Sequence, residues 1–242
     1  MEFSKPQKFS ARVSEKYFLT ENNHFLYVKF ELVLPDRIHF RAGQYMSFAL
    51  GEDGARRSYS IATTPDNEHG FCIAAEMVPG GLGSAFLQNL AIGAEVEVLG
   101  PLGRFVVDET NQSKLLFVAT GSGIVPIYAM ITDLLINKHE TRQMRLHWGL
   151  HDEANMFWFD NFERLMEAYP NFVFDPVLSS PSKEWSLCSG HVQDCLRRDF
   201  AKTTLLGWQG YVCGNPTMVE EVSVLLGELG MSPDLIHHEK FV

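Results

Sequence analysis

The chain has 242 residues, is 45% hydrophobic and carries a formal net charge of −10. That length accommodates two modest domains, each with its own core, and the acidic balance argues against a nucleic-acid partner, which needs clustered Lys and Arg. No apolar run approaches the roughly 20 residues of a membrane span, and the start Met1-Glu2-Phe3-Ser4-Lys5-Pro6 lacks the apolar stretch of a signal peptide; no membrane association and a cytoplasmic location are therefore expected.

In chain order, the first part reads as short β-rich segments at 8–13, 25–32, 44–49, 57–61, 71–75 and 95–99, bounded by Gly, Pro, Asn or Asp. One helical segment interrupts them at 84–90. Strands at this spacing predict a small antiparallel barrel. A polar stretch at 107–113 is a linker, and the domain border is expected at 108/109. The pattern then changes to alternation. Strands are predicted at 114–119, 145–149, 172–178, 211–213 and 236–241. Helices are predicted at 124–135, 157–169 and 191–200, and a last one opens at Asn215-Pro216 and runs to 229. Alternation of this kind predicts a doubly wound parallel sheet. The expected fold is thus β + α/β: an antiparallel β-barrel over 1–108, then an α/β domain over 109–242.

Four short segments carry chemistry. Arg57-Ser58-Tyr59-Ser60 follows the turn Gly51-Glu52-Asp53-Gly54. On a strand, Arg57 and Tyr59 share one face, and a cation beside a flat ring suits a ligand with a phosphate and an aromatic ring system. An ordinary edge strand with a surface arginine is the plainer alternative. Gly80-Gly81-Leu82-Gly83-Ser84 opens onto a helix, where backbone N–H groups can meet a phosphate and Ser84 is either the N-cap or a direct contact. Thr120-Gly121-Ser122-Gly123-Ile124-Val125-Pro126 is a strand-to-helix turn of the dinucleotide-binding kind, although Val125-Pro126 stands where a Rossmann fingerprint has its third glycine. Cys213-Gly214-Asn215-Pro216 ends a parallel strand, the edge at which such sheets bind ligands. Cys72, Cys188, Cys195 and Cys213 have no Cys-x-x-Cys or iron–sulfur spacing, and His147 and His151 straddle a strand end, so no metal site is expected.

The order and spacing of these segments resemble the ferredoxin–NADP reductase-like superfamily over nearly the whole chain. Phe40-Arg41-Ala42-Gly43-Gln44-Tyr45 and Gly100-Pro101-Leu102-Gly103-Arg104-Phe105 look like further landmarks, and the ending Glu239-Lys240-Phe241 is similar to reductase components of bacterial oxygenases. The resemblance implies an FAD-dependent NAD(P)H oxidoreductase. Arg57 would pair with the flavin nucleotide phosphate, Tyr59 would pack on the isoalloxazine, and Ser60 would hydrogen-bond near its reactive nitrogen. Gly81, Gly83 and Ser84 would hold the pyrophosphate, favouring FAD over FMN. Thr120 would lie close to the flavin, and Gly121, Gly123 and Pro126 would shape the coenzyme pyrophosphate site. Cys213 would sit against the nicotinamide, with Gly214 allowing close approach. Glu239 would serve as a proton relay and Phe241 would cover the ring. Catalytic roles thus fall to Ser60, Cys213 and Glu239.

NADPH-selective members place arginines where this chain has His151-Asp152-Glu153 and Ser179-Ser180-Pro181. NADH is therefore the expected donor, with Lys183 and Arg142 as the residues that could reverse the preference. Electrons would pass to a separate acceptor, such as a ferredoxin-type protein or an oxygenase component. Two alternatives stand beside this reading: a flavin reductase releasing free reduced flavin, and a non-catalytic flavin-binding redox subunit.

Overall fold

The computed structural model describes residues 3–51 and 54–241. Glu52 and Asp53 of the expected turn, and Met1 and Glu2 of the N-terminal segment, lie outside the described residues. Two six-stranded sheets make up the molecule. The first contains β1 (Gln7–Phe18), β2 (Phe25–Leu34), β3 (Tyr45–Ala49), β4 (Arg56–Ser60), β5 (Gly70–Glu76) and β6 (Glu95–Leu102), in the order β4-β3-β6-β1-β2-β5. Its paired strands are antiparallel. The outer strands approach each other just past β4, where Ala62 N–H donates to the Cys72 carbonyl at 2.8 Å. Alternate residues of β1 (Phe9, Ala11, Val13) and of β2 (Leu26, Val28, Phe30) point into one core with Phe48 and Phe71. Helix α1 (Leu82–Asn89) follows β5 and lays Leu87 on that core.

The second sheet is parallel, in the order β10-β9-β8-β7-β11-β12, from β7 (Lys114–Thr120), β8 (Met144–Leu150), β9 (Phe172–Leu178), β10 (Cys188–Ser189), β11 (Trp208–Gly214) and β12 (Ile236–Lys240). Leu115 to Ala119 are fully buried because β7 is covered on both faces, which is why this segment reads as a continuous apolar run. Helices α2 (Ile124–Thr132), α3 (Phe159–Ala168), α4 (Val192–Asp199) and α5 (Pro216–Glu228) supply the cover. α5 starts as its sequence dictates, with the Asn215 side chain accepting from Thr217 N–H at 2.9 Å and Pro216 at the first helical position.

β1 runs past the expected 13 to Phe18, β10 is a strand the sequence did not predict, and two helices depart from expectation. Trp158 takes φ 56°, so α3 begins at Phe159 instead of 157. The predicted helix over 124–135 widens after Thr132 into a π-helical turn, Asp133–Asn137, closed by Lys138 N–H donating to the Asp133 carbonyl at 3.0 Å. The expected C-terminal strand is present: β12 pairs with β11, and Phe241 N–H donates to the Gly214 carbonyl at 2.9 Å, docking the chain end.

The sheets are packed together through a shared apolar core. Phe25, Ala42, Ala62, Phe105 and Val107 from the first join Phe117, Ile127, Trp148 and Tyr211 from the second. Ring centroids of Phe25 and Phe157 lie 4.5 Å apart, and Asp108 N–H donates to the Tyr211 hydroxyl at 2.8 Å across the junction. Burial of aromatic surface at this junction fixes how the two halves face one another. A disulfide joins Cys188 on β10 to Cys195 on α4; neither residue's spacing signalled it.

Candidate functional site

Strand order places the site. In the parallel sheet, the chain winds outward from β7 through β8 and β9, then returns to β11 on the other side of β7. The carboxyl ends of β7 and β11 therefore flank a topological switch point, the place where open α/β sheets receive ligands. Thr120-Gly121-Ser122-Gly123 and Cys213-Gly214-Asn215 occupy those two ends. A cleft of about 300 Å³ opens there, lined by Thr120, Gly121, Gly149, His151, Ser179, Gly190, His191, Asn215 and Met218 from the second sheet and by His24, Phe25 and Glu76 from the first.

The residues at this end are tightly interlocked. Gly214 has φ +144°, and a Cβ there would overlap the Thr120 hydroxyl, so only glycine lets β11 close on β7. Asn215 N–H reaches the Thr120 hydroxyl at 3.4 Å. Pro126 sits within the first turn of α2, where its missing N–H costs no helical bond. Cys213 pairs in register with Glu239 on β12. Burial pushes the Cys213 thiol well up, and the nearby Glu239 carboxylate adds to the effect. Burial also raises the Glu239 carboxyl to about 7. Phe241 is half-buried and packs against the shared core.

A second group forms on the first sheet. Arg57 and Tyr59 share a face of β4, and Gly83 of α1 is pressed against both: a Cβ at Gly83 would overlap the Tyr59 hydroxyl. Burial raises the Tyr59 hydroxyl to about 12, with Arg57 opposing the shift. The adjacent Arg56 is committed to structure, its Nε donating to the Ser47 hydroxyl at 2.9 Å. Among the described residues, Arg57 donates only to the Arg56 carbonyl, at 2.8 Å, and no carboxylate lies within ion-pair distance of it. Ser60 is buried at the end of β4. Ser84 is not the N-cap of α1. Gly81 holds that place, and the Ser84 hydroxyl accepts from Val78 N–H at 2.8 Å, closing the glycine loop from inside. Gly81 N–H, in turn, donates to the Val78 carbonyl at 3.0 Å.

Cleft residues that the sequence did not single out include His24, Phe25, Glu76, Gly149, Gly190, His191 and Met218. Gly149 alone had a usable signal, since it lies near the carboxyl end of a parallel strand. His24 Nε2 and a Glu76 carboxylate oxygen are 3.1 Å apart, and Glu76 faces Gly121 across the junction of the sheets. Among the described residues lining the cleft there is neither Lys nor Arg. Arg142 precedes β8, a strand of seven residues, and is paired with Glu140 at 2.6 Å. It stands at the end of the strand away from the cleft, roughly 20 Å distant at 3.3 Å per residue. His151 and Ser179 meet at 3.3 Å (Nδ1 to Oγ), and the Glu153 carboxylate accepts from Ser182 N–H at 2.9 Å.

His147, Asp175 and Asp199 also gather closely. Arg145 donates to Asp175 at 2.6 Å and to Asp199 at 2.5 Å, and His147 Nε2 lies 2.8 Å from Asp199. One guanidinium bridges both carboxylates, and the hydrogen bond from His147, then Arg145, holds the Asp199 carboxyl below its ordinary value.

Residues 10–107 match the family described as the oxidoreductase FAD-binding domain, and residues 117–223 the oxidoreductase NAD-binding domain. The chain is 33% identical over 215 residues to the reductase subunit of an aromatic O-demethylase from an Amycolatopsis species, covering 87% of this chain and 63% of that protein. It therefore spans less than two thirds of the length of that relative. It is 31% identical over 211 residues to ferredoxin–NADP reductase B of Sorangium cellulosum, covering 84% of this chain and 85% of that one. The crystal structure of the Amycolatopsis cytochrome P450 reductase GcoB superimposes with a TM-score of 0.88 at 30% identity, over 98% of this chain and 70% of that one.

Proposed function

The chain belongs to the ferredoxin–NADP reductase-like family of FAD- and NAD-binding oxidoreductases, and on that footing we propose that it takes a hydride from NADH onto FAD and passes the electrons to a separate acceptor of the ferredoxin or oxygenase type. The observation that carries the reading is the pair of prepared surfaces: a cation and a ring against a glycine helix start on one sheet, and a cleft at the switch point of the other. The border between the two working halves falls at Asp108 and Glu109, and the protein works in the cytoplasm; among the described residues no helix is long and apolar enough to cross a membrane.

The residues fit FAD. Among the described residues the Arg57 guanidinium has no carboxylate partner, which suits it to a phosphate. Tyr59 offers a ring whose hydroxyl stays protonated, and Ser60 a buried hydroxyl at the strand end. No side chain caps α1 at Gly81, so the N–H groups of its first turn, at Gly83 and Ser84, are the ones that would meet a pyrophosphate, although both residues are buried. Bound FAD supplies the two-electron chemistry; the chain supplies position and proton control. Gly121, Gly123 and Pro126 shape the turn that holds the coenzyme pyrophosphate, with Thr120 beside the flavin. Cys213, fully buried at the end of β11, and Gly214 lie behind the place where nicotinamide would rest. Glu239 holds a proton near neutral pH and is the relay group. Phe241 would cover the ring face that nicotinamide must reach.

NADH is the preferred donor because a 2′-phosphate would meet His151 and Ser179 in a cleft whose described lining has no Lys or Arg. The purified protein is expected to carry FAD, identified after heat release, and NADH should bleach it faster than NADPH. A colourless protein that takes up no FAD would overturn the proposal, and faster bleaching by NADPH would overturn the coenzyme preference. Cys213→Ala should keep its flavin and slow reduction about tenfold, through loss of the nicotinamide contact; stopped-flow absorbance reads this, and unchanged kinetics would remove Cys213 from the site.

A further inference from the structure

The Cys188–Cys195 link encloses six residues, Ser189 to Asp194, and four of them, Gly190, His191, Val192 and Gln193, line the cleft. Besides the link, Arg198 Nη2 donates to the Ser189 carbonyl at 3.1 Å, Gln193 Nε2 donates to the Glu221 carboxylate at 2.5 Å, and His191 N–H donates to the Asp194 carboxylate at 3.2 Å. β10 is an edge strand of two residues, tied to β9 through Val177 and Leu178. Gly190 N–H donates to the Leu178 carbonyl at 2.9 Å, and Trp185 Nε1 to the Cys188 carbonyl at 3.0 Å. From there the chain turns directly into α4, whose Val192 side chain packs on Gly149 at the back of the cleft.

The two sulfurs have the environment of a reactive pair. Arg198 Nη2 lies 2.6 Å from Cys188 Sγ and 2.9 Å from Cys195 Sγ. A guanidinium at that distance favours the thiolate, the form that reacts. Cys188 is partly exposed and Cys195 is buried, so one sulfur can be reached from solvent and the other resolves the product. Cys72 and Cys213 are buried, and burial pushes both thiols up, which leaves them slow to react.

We infer that Cys188 and Cys195 are a thiol–disulfide site, oxidised by a peroxide and reduced by a dithiol, whose state governs how firmly the cleft holds the nicotinamide coenzyme. This rests on the cleft being the coenzyme site, as proposed above. In the oxidising direction the Cys188 thiolate attacks one peroxide oxygen, the O–O bond breaks, and protonation releases water, leaving a sulfenic acid on Cys188. The Cys195 thiolate then attacks that sulfur. The S–O bond breaks, the S–S bond forms, and a second water leaves. The two sulfurs give up two electrons and the peroxide takes both. A dithiol reverses the reaction by two thiol–disulfide exchanges, itself becoming the disulfide. With the link closed, the segment 189–194 is held in its cleft-forming arrangement. With it open, that arrangement is one of several, and apparent affinity falls by the fraction of time it is populated.

The test uses the whole chain. Thiols are counted in denaturant after treatment with hydrogen peroxide or with dithiothreitol, and NAD+ binding to each form is measured by calorimetry. Four thiols are expected after reduction and two after peroxide, with the disulfide mapped to Cys188 and Cys195. The disulfide form should bind NAD+ about three- to tenfold more tightly than the dithiol form. C188S should show the weaker value after either treatment, and R198Q should form the link about tenfold more slowly at pH 7. Four thiols surviving peroxide, or equal NAD+ affinity in the two forms, would overturn the inference. NAD+ binding to neither form would overturn the coenzyme reading beneath it together with the coupling, and the thiol count reports on the pair separately.

Discussion

Arg57→Ala is expected to emerge from purification largely stripped of flavin, with its affinity for added FAD weakened about 10- to 100-fold. The lost interaction is a charge-assisted hydrogen bond to a phosphate, worth about 1.5–3 kcal/mol. The fold should be untouched, because Arg57 is exposed and, among the described residues, bonds only to its neighbour's carbonyl. Arg56→Ala provides the contrast. Arg56 is half-buried and holds Ser47 on the neighbouring strand, so its loss should lower the urea midpoint while leaving flavin affinity near that of the parent. The ratio of flavin to protein absorbance reads the first effect and urea unfolding the second. Equal flavin occupancy in Arg57→Ala and the parent protein would show that the phosphate sits elsewhere.

Glu239→Gln should alter the pH dependence of stability. Burial raises the folded-state carboxyl from its ordinary value of 4.5 to about 7. Between those values the folded chain binds more protons than the unfolded chain, so stability falls as pH rises from about 4.5 to about 7 and is level above that. A shift of this size corresponds to about 3 kcal/mol at most, and partial exposure of the side chain reduces the expected effect to about 1–2 kcal/mol. The glutamine variant lacks this ionisation. It should match the parent protein near pH 4 and exceed it by about 1–2 kcal/mol at pH 8. Urea unfolding at three or four pH values checks this, and parallel curves for the two proteins would refute it. In the proposed enzyme the same substitution removes the relay proton, so an ionisation near pH 7 should vanish from the pH profile of flavin reduction.

Much of the fold was legible because its signals are local. The continuous apolar run of Leu115 to Ala119 marks a strand covered on both faces. Asn215-Pro216 writes its helix start into two adjacent residues. Alternation along β1 and β2 marks strands buried on one side. The exceptions arose where a neighbour outside the window decides the conformation. Trp158 adopts a left-handed backbone and stacks on Tyr128, a contact 30 residues distant that no periodicity reveals. Ser84 reads as a helix cap or a ligand contact, and instead its hydroxyl takes the Val78 N–H.

The site divides in the same way. The residue types were readable in four short segments, since a glycine turn or a strand-end cysteine carries its meaning in its immediate neighbours. What they do to each other was not. Strand order alone brings the ends of β7 and β11 together and sets Glu239 beside Cys213. Packing between the sheets brings His24 and Glu76 of the first half to the cleft of the second. The Cys188–Cys195 link needs an edge strand and a helix to meet across a loop. Turn chemistry and periodicity are properties of a few consecutive residues, so the chain alone determined its elements, its two-part architecture and the character of its binding segments. Register, burial and the raised carboxyl of Glu239 depend on residues tens or hundreds of positions apart, and only the tertiary structure decided them.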